Sequence, residues 1–172
     1  MKKEKFEALQ KIVDAARVSE VETGCPMELT VSQCILESGW LTHFPGNNPF
    51  GIKRAKRHDA FTINRTNEVI DGKVVEKTEE FAAFDSLADA FKDHGWLITK
   101  GKPYRSAWEK YKETGDVDRL IDGISKRYAT DPEYSKKLKS ILRIPEVSRS
   151  IRKKRACVTA TLICVVPICR SA

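Results

Sequence analysis

The chain has 172 residues, of which 41% are apolar and 32% charged, with a formal net charge of +7. These values fit one soluble globular domain large enough for a real core, and they exclude a collagen-like, disordered or disulfide-dense chain. From Arg143 onward there are seven basic residues and one acidic, which leaves the body near +1 and argues against a nucleic-acid-binding domain with a basic face.

Phe6, Leu9, Ile12, Val13 and Ala16 recur at helical spacing, predicting a first helix over 4–22 that Gly24 and Pro26 close. Met1 to Lys5 leads into this amphipathic pattern and not into a continuous apolar stretch, so no signal peptide is expected and synthesis is expected in the cytoplasm.

The stretch from Leu29 to Trp40 is the informative one. Thr30 and Gln33 have the spacing of a capping box, which predicts a two-turn helix starting near Val31 and ending at Gly39. Val31, Cys34, Ile35 and Ser38 then share an apolar stripe, with Glu37 on its border. A half-desolvated carboxylate at a helix C-terminus has a raised pKa, as a general acid requires. An exposed glutamate in a last turn is the plainer reading of the same pattern.

After a connector containing His43, which reads as a loop histidine, Asn47-Asn48-Pro49-Phe50-Gly51 mixes turn formers with a buried-type aromatic and predicts a tightly packed loop. From Phe61 to Phe84, β-formers flank Asp71-Gly72, predicting a hairpin with a type I′ turn. Counting out from that turn pairs Ile70 with Lys73, Val69 with Val74 and Glu68 with Val75. A third helix carries Leu87, Ala88, Phe91 and Ile98 behind a Ser86 cap, and Tyr104, Trp108 and Tyr111 follow at helical spacing. Asp116 is set to cap a helix that leads into Tyr128. Asp131-Pro132 is set to open the next one, with Tyr134, Leu138, Ile141 and Leu142 facing inward.

The five cysteines have no disulfide or zinc spacing, and Cys34 reads as a small core residue. No cofactor and no metal are expected. From residue 143 the chain reads as a separate basic and apolar extension, poorly ordered and too short to span a bilayer. Its basic stretch beside an apolar one suits a weak contact with an anionic membrane or envelope surface.

Several separated motifs occur in one order: Glu37-Ser38-Gly39-Trp40, Asn47-Asn48-Pro49-Phe50-Gly51-Ile52-Lys53, Asp71-Gly72, and Tyr128-Ala129-Thr130-Asp131-Pro132-Glu133-Tyr134 with Lys137 and Leu138. Together they resemble the glucosaminidases of glycoside hydrolase family 73 over residues 6–142. The resemblance implies an α+β, mostly helical, lysozyme-like fold in which a small β-hairpin lobe flanks the active-site groove, and a domain ending at 142.

It also implies a monomeric hydrolase of bacterial cell-wall peptidoglycan, an endo-β-N-acetylglucosaminidase of autolysin or phage-lysin type acting after release from the cell. Glu37 would be the acid, Glu68 the second carboxylate and Tyr128 the aligner of the substrate acetamido group. Asp71, Glu76, Glu79 and Glu80 compete with Glu68. Asn47, Asn48, Tyr104 and Trp40 are the candidate sugar contacts. A lytic transglycosylase or muramidase on the same glycan, or a wall-binding module without catalysis, are the alternatives.

Overall fold

Leu9, Ile12, Val13 and Ala16 form the buried stripe of the first helix, α1 (Lys3–Thr23), which ends where Gly24 turns to φ 77° and returns its N–H to the Glu20 carbonyl. The computed structural model describes residues 1–70 and 73–163. Within it, the side chains of 66–76 and of 157–163 lie outside the description.

The second helix, α2 (Met27–Ser38), starts one turn earlier than the expected capping box, behind Pro26 in extended conformation. Pro26 has no N–H to satisfy and a fixed φ, so it opens the helix without a side-chain cap. Thr30 lies inside the helix, its hydroxyl donating to the Met27 carbonyl, and the Gln33 amide reaches Tyr134 instead of the helix start. Gly39 ends α2 in the left-handed conformation as expected. Trp40 and Leu41 also have positive φ, giving a tight reversal that Ser38 ties down by accepting the Leu41 N–H at 2.9 Å.

Strands β1 (Phe61–Ile70) and β2 (Lys73–Ala82) pair antiparallel in the register counted from the sequence, including Glu68 opposite Val75. A bridge between Lys53 and Phe81 hooks the loop after Asn47 onto the hairpin base. The Asp71-Gly72 turn itself lies outside the described residues. Helix α3 (Leu87–Lys100) is capped by Ser86, which accepts the Asp89 N–H.

Helices α4 (Arg105–Thr114) and α5 (Val117–Tyr128) follow, the latter capped by Asp116 through the Arg119 N–H at 3.0 Å. Asp131 holds the turn ahead of α6 (Tyr134–Leu142) by accepting the Glu133 N–H. The helix therefore begins two residues later than an Asp131 cap would have it.

Two apolar clusters form the core, and α2 contributes to both. Val31, Cys34 and Ile35 pack with α1, Phe50 and Phe91, whereas Leu29 packs with Ile98, Leu120, Ile121, Ile124 and Leu138. The helix that carries Glu37 is thus wedged between the two halves of the core.

The chain continues in helical form past the expected boundary at 142. Residues from Pro145 form helix α7 (Pro145–Ile163), and Val147 and Ile151 are buried in the same cluster as Leu9 and Val31. The apolar i, i+4 pair gives this segment a face to bury, which a reading centred on its charges overlooks. No described helix is long and apolar enough to cross a membrane.

Candidate active site

Glu37 stands on the last turn of α2, two residues before the helix-ending Gly39. A cleft of about 840 Å³ opens beside it, lined among others by Phe50, Gly51, Tyr104, Tyr128 and Tyr134. A second cavity of about 390 Å³ lies on the hairpin side, with His43, Asn64 and Phe81 in its wall. Glu37 and Gly51 line both, so the carboxylate sits where two halves of a groove meet.

The residue as a whole is exposed to this groove, yet its carboxyl is largely surrounded by protein. That shielding raises the carboxyl pKa above the ordinary value, and a hydrogen bond donated by the Tyr134 hydroxyl partly opposes the rise. A carboxyl poised in this way, open to a groove on both sides, can deliver a proton to a bound oligomer.

Tyr134 is the residue that sequence reasoning missed. The periodicity of α6 marks it as inward-facing, and it is indeed buried, but its hydroxyl emerges beside Glu37. A pattern of apolar faces cannot distinguish a tyrosine used for its ring from one used for its oxygen. Behind it, the Gln33 side-chain amide donates to the Tyr134 oxygen at 3.2 Å.

Tyr128, at the end of α5, lines the cleft, but its hydroxyl is engaged with the Phe50 carbonyl at 3.1 Å. Its ring stacks on Tyr134, with centroids 5.8 Å apart, and leans on Tyr104 at 6.4 Å. Burial and the nearby Glu37 charge push the Tyr128 hydroxyl well above its ordinary pKa, so it stays neutral. Tyr104 lines the cleft and closes the same aromatic wall.

Both asparagines hold the loop. Asn48 is buried, its amide donating to the Ile52 and Ala82 carbonyls at 2.9 Å each while its oxygen accepts the Ile52 N–H at 3.0 Å. Those three bonds tie the side chain to the chain's own backbone, and Asn48 also lines the hairpin-side cavity. Asn47 has φ 54° and donates to the Phe84 carbonyl at 2.9 Å. Trp40 packs against the first core cluster beneath Lys5 and is not among the residues lining either of these two cavities, at the left-handed turn that follows Ser38.

Glu68 belongs to β1, four residues beyond Asn64 toward the turn, and its side chain lies outside the described residues, as do those of Asp71 and Glu76. Of its other competitors, Glu79 is ion-paired with Lys53 and Glu80 with Arg54. Lys137 is paired with Asp131 at the cleft margin. Among the described residues no cluster of His, Cys, Asp or Glu is arranged to hold a metal ion, and Cys25 and Cys34 are buried free thiols whose pKa burial raises.

A family model described as mannosyl-glycoprotein endo-beta-N-acetylglucosaminidase matches residues 13–145. The chain belongs to the glucosaminidase family. The match spans Glu37, the hairpin and Tyr134, the elements that build the groove.

A probable N-acetylmuramidase of Lactococcus lactis subsp. cremoris is 28% identical over 144 residues, covering 78% of this chain and 32% of that protein. The exo-glucosaminidase LytG of Bacillus subtilis is 30% identical over 121 residues, covering 66% of this chain and 42% of that protein. The catalytic domain of the autolysin Auto from Listeria monocytogenes superposes with a TM-score of 0.74 at 21% identity, covering 87% of this chain and 89% of that one.

The chain spans about a third of the length of the first of these relatives. The structural likeness establishes the expected mostly helical, lysozyme-like α+β fold of this glucosaminidase domain.

Proposed function

We propose that this glucosaminidase-family chain is an endo-β-N-acetylglucosaminidase, hydrolysing the β-1,4 bond after N-acetylglucosamine in peptidoglycan. The observation that carries the reading is Glu37, a carboxyl with raised pKa at the junction of two cavities in one groove. Glu37 protonates the leaving glycosidic oxygen. Glu68, on the hairpin wall, activates water or stabilises the oxocarbenium-like centre. The Tyr104, Tyr128 and Tyr134 wall offers flat ring faces against which a sugar ring and its acetamido group can align. The chain acts as a monomer on the wall after release from the cell in which it is made, as a lysin of a phage or prophage does.

The name of the Lactococcus relative favours a second reading, a muramidase using the same groove. Borohydride reduction of the fragments released from purified peptidoglycan, followed by mass spectrometry, decides between them. Reduced N-acetylglucosamine ends are expected. Reduced N-acetylmuramic acid ends would establish the muramidase, anhydro ends a lytic transglycosylase, and no fragments a binding module.

A further inference from the structure

We infer that Gln33, one helical turn behind Glu37 and in no contact with the groove, is a positioning residue that decides which oxygen of Glu37 carries the catalytic proton. The inference rests on Glu37 being the acid. Gln33 is fully buried on α2, and its amide nitrogen donates to the Tyr134 oxygen. Tyr134 in turn donates to Glu37 Oε1. Helical spacing stacks positions 33 and 37 on one face, so a single tyrosine from α6 reaches both.

A tyrosine hydroxyl has one proton. With its oxygen already accepting from Gln33, that proton is directed to Glu37, and Oε1 is thereby held as an acceptor. The acid proton of neutral Glu37 must then sit on Oε2. During reaction it leaves Oε2 for the glycosidic oxygen as the C–O bond to the anomeric carbon breaks, and water adds its hydroxyl to that carbon while giving its other proton to the second carboxylate. Without Gln33, Tyr134 can turn its lone pairs to Glu37 and draw the proton onto Oε1, where it faces the protein and not the substrate. Among the described residues the Gln33 side chain makes no other hydrogen bond than this donation.

The groups around the carboxyl are Tyr134 and Gln33 behind it, Tyr128 beside it, Lys53, Arg57, Tyr104, Asp131 and Lys137 along the main cleft, and His43 and Arg65 across the hairpin-side cavity. None of these but Tyr134 and Gln33 forms the chain of two hydrogen bonds.

The test is a double-mutant cycle on peptidoglycan hydrolysis with Gln33→Met, Tyr134→Phe and the pair, read as kcat and KM across pH, with Glu37→Gln alongside. Met keeps the volume and removes the donor. Gln33→Met is expected to lower kcat about three- to tenfold and Tyr134→Phe about ten- to a hundredfold, with KM held.

In both variants the alkaline limb moves to higher pH, because the Glu37 anion loses support. The double variant is expected to be no slower than Tyr134→Phe, since Gln33 acts through Tyr134. Independent, additive losses, or an unmoved alkaline limb with changes in KM alone, overturn the proposal while leaving Glu37 as the acid. Full activity in Glu37→Gln overturns the acid assignment and this proposal with it.

A measurement that needs no Gln33 variant to fold is the side-chain amide 15N shift of Gln33. It should titrate with Glu37 in the native protein and stop doing so in Tyr134→Phe, and a flat trace in the native protein refutes the relay.

Discussion

His94 of α3 lies flat on Phe50, with ring centroids 4.0 Å apart and planes 15° from parallel. Phe50 belongs to the loop that lines the cleft, so this stack is how α3 carries the loop that faces Glu37. The Phe50 carbonyl receives the Tyr128 hydroxyl, and the Tyr128 ring meets His94 edge-on at 5.9 Å. One buried imidazole thereby touches two walls of the groove.

Burial pushes the His94 pKa down to about 3 from 6.5. The native state therefore resists protonation where the unfolded chain accepts it, and stability falls as pH drops from about 6.5 toward 3. The slope contributed is up to about 1.4 kcal/mol per pH unit. His94→Phe keeps a stacked ring and removes the titration. Urea unfolding at pH 7 and pH 5 should show a smaller acid loss in the variant than in the native protein, and equal losses would mean His94 does not titrate between the two states.

Asn48 makes three hydrogen bonds from a buried position, two of them to carbonyls of different segments, Ile52 and Ala82. Replacing it by Ala takes the acceptor from the buried Ile52 N–H and this donor from the Ala82 carbonyl, while the Ile52 carbonyl still accepts the Ala82 N–H at 2.9 Å, so a loss of about 1–3 kcal/mol is expected in chemical denaturation. Asn48→Asp should be at least as damaging, because a carboxylate cannot donate to either carbonyl. Activity lost without lost stability would make Asn48 a sugar contact instead.

The hairpin register, the Gly39 stop, the Ser86 and Asp116 caps and the position of Glu37 were legible in the sequence, because each is set by local chemistry such as a turn dipeptide or a side chain of capping type. The start of α2 was not. Thr30 and Gln33 have the letters of a capping box, but Pro26 opens the helix first and tertiary packing claims Gln33 for Tyr134. The placement of Trp40 was not legible for a related reason: three consecutive left-handed residues turn it toward Lys5, and only Gly39 announces that conformation in sequence. Helix α7 was hidden by charge. Its Arg155 looked like part of a basic run, whereas it is a clamp.

Arg155 donates to both oxygens of Glu28, at 2.8 and 2.9 Å, and to Glu20, joining α7 to the first turn of α2 and the end of α1. Burial pushes the Glu28 carboxyl up, but the Arg155 contacts outweigh it and the net pKa is lowered. The clamp therefore stabilises above the unfolded carboxylate pKa of 4.5 and fades as pH falls below it. Arg155→Met should lose about 1–2 kcal/mol at pH 7, the half-exposed site limiting the effect, and markedly less at pH 3.5. An equal loss at both pH values would point to packing of the arginine stem.

The choice of second carboxylate is decided by a pair of variants on the hairpin. Glu79 is already ion-paired with Lys53, so it is occupied as a structural partner. Glu68→Gln is expected to cut peptidoglycan hydrolysis by about a hundredfold or more with an unchanged melting temperature, and Glu79→Gln to keep most of the activity. The reverse pattern would move the role to Glu79 and require the Lys53 pair to open during turnover.

Glu37 itself couples activity to stability in opposite senses. Its raised pKa means that ionising it in the native state costs more than in the unfolded chain, so the native protein loses stability as pH rises from 4.5 through the folded-state pKa. Glu37→Gln removes that cost and keeps an oxygen to accept the Tyr134 hydroxyl. The variant should therefore lose about 10²–10⁴-fold in rate and melt higher than the native protein at pH 7. Its advantage should disappear below pH 4.5, where both native and unfolded carboxyls are protonated. A variant that is both inactive and less stable at pH 7 would mean that the ionised carboxylate is a structural partner in the fold, in which case its loss of activity would say nothing about proton donation.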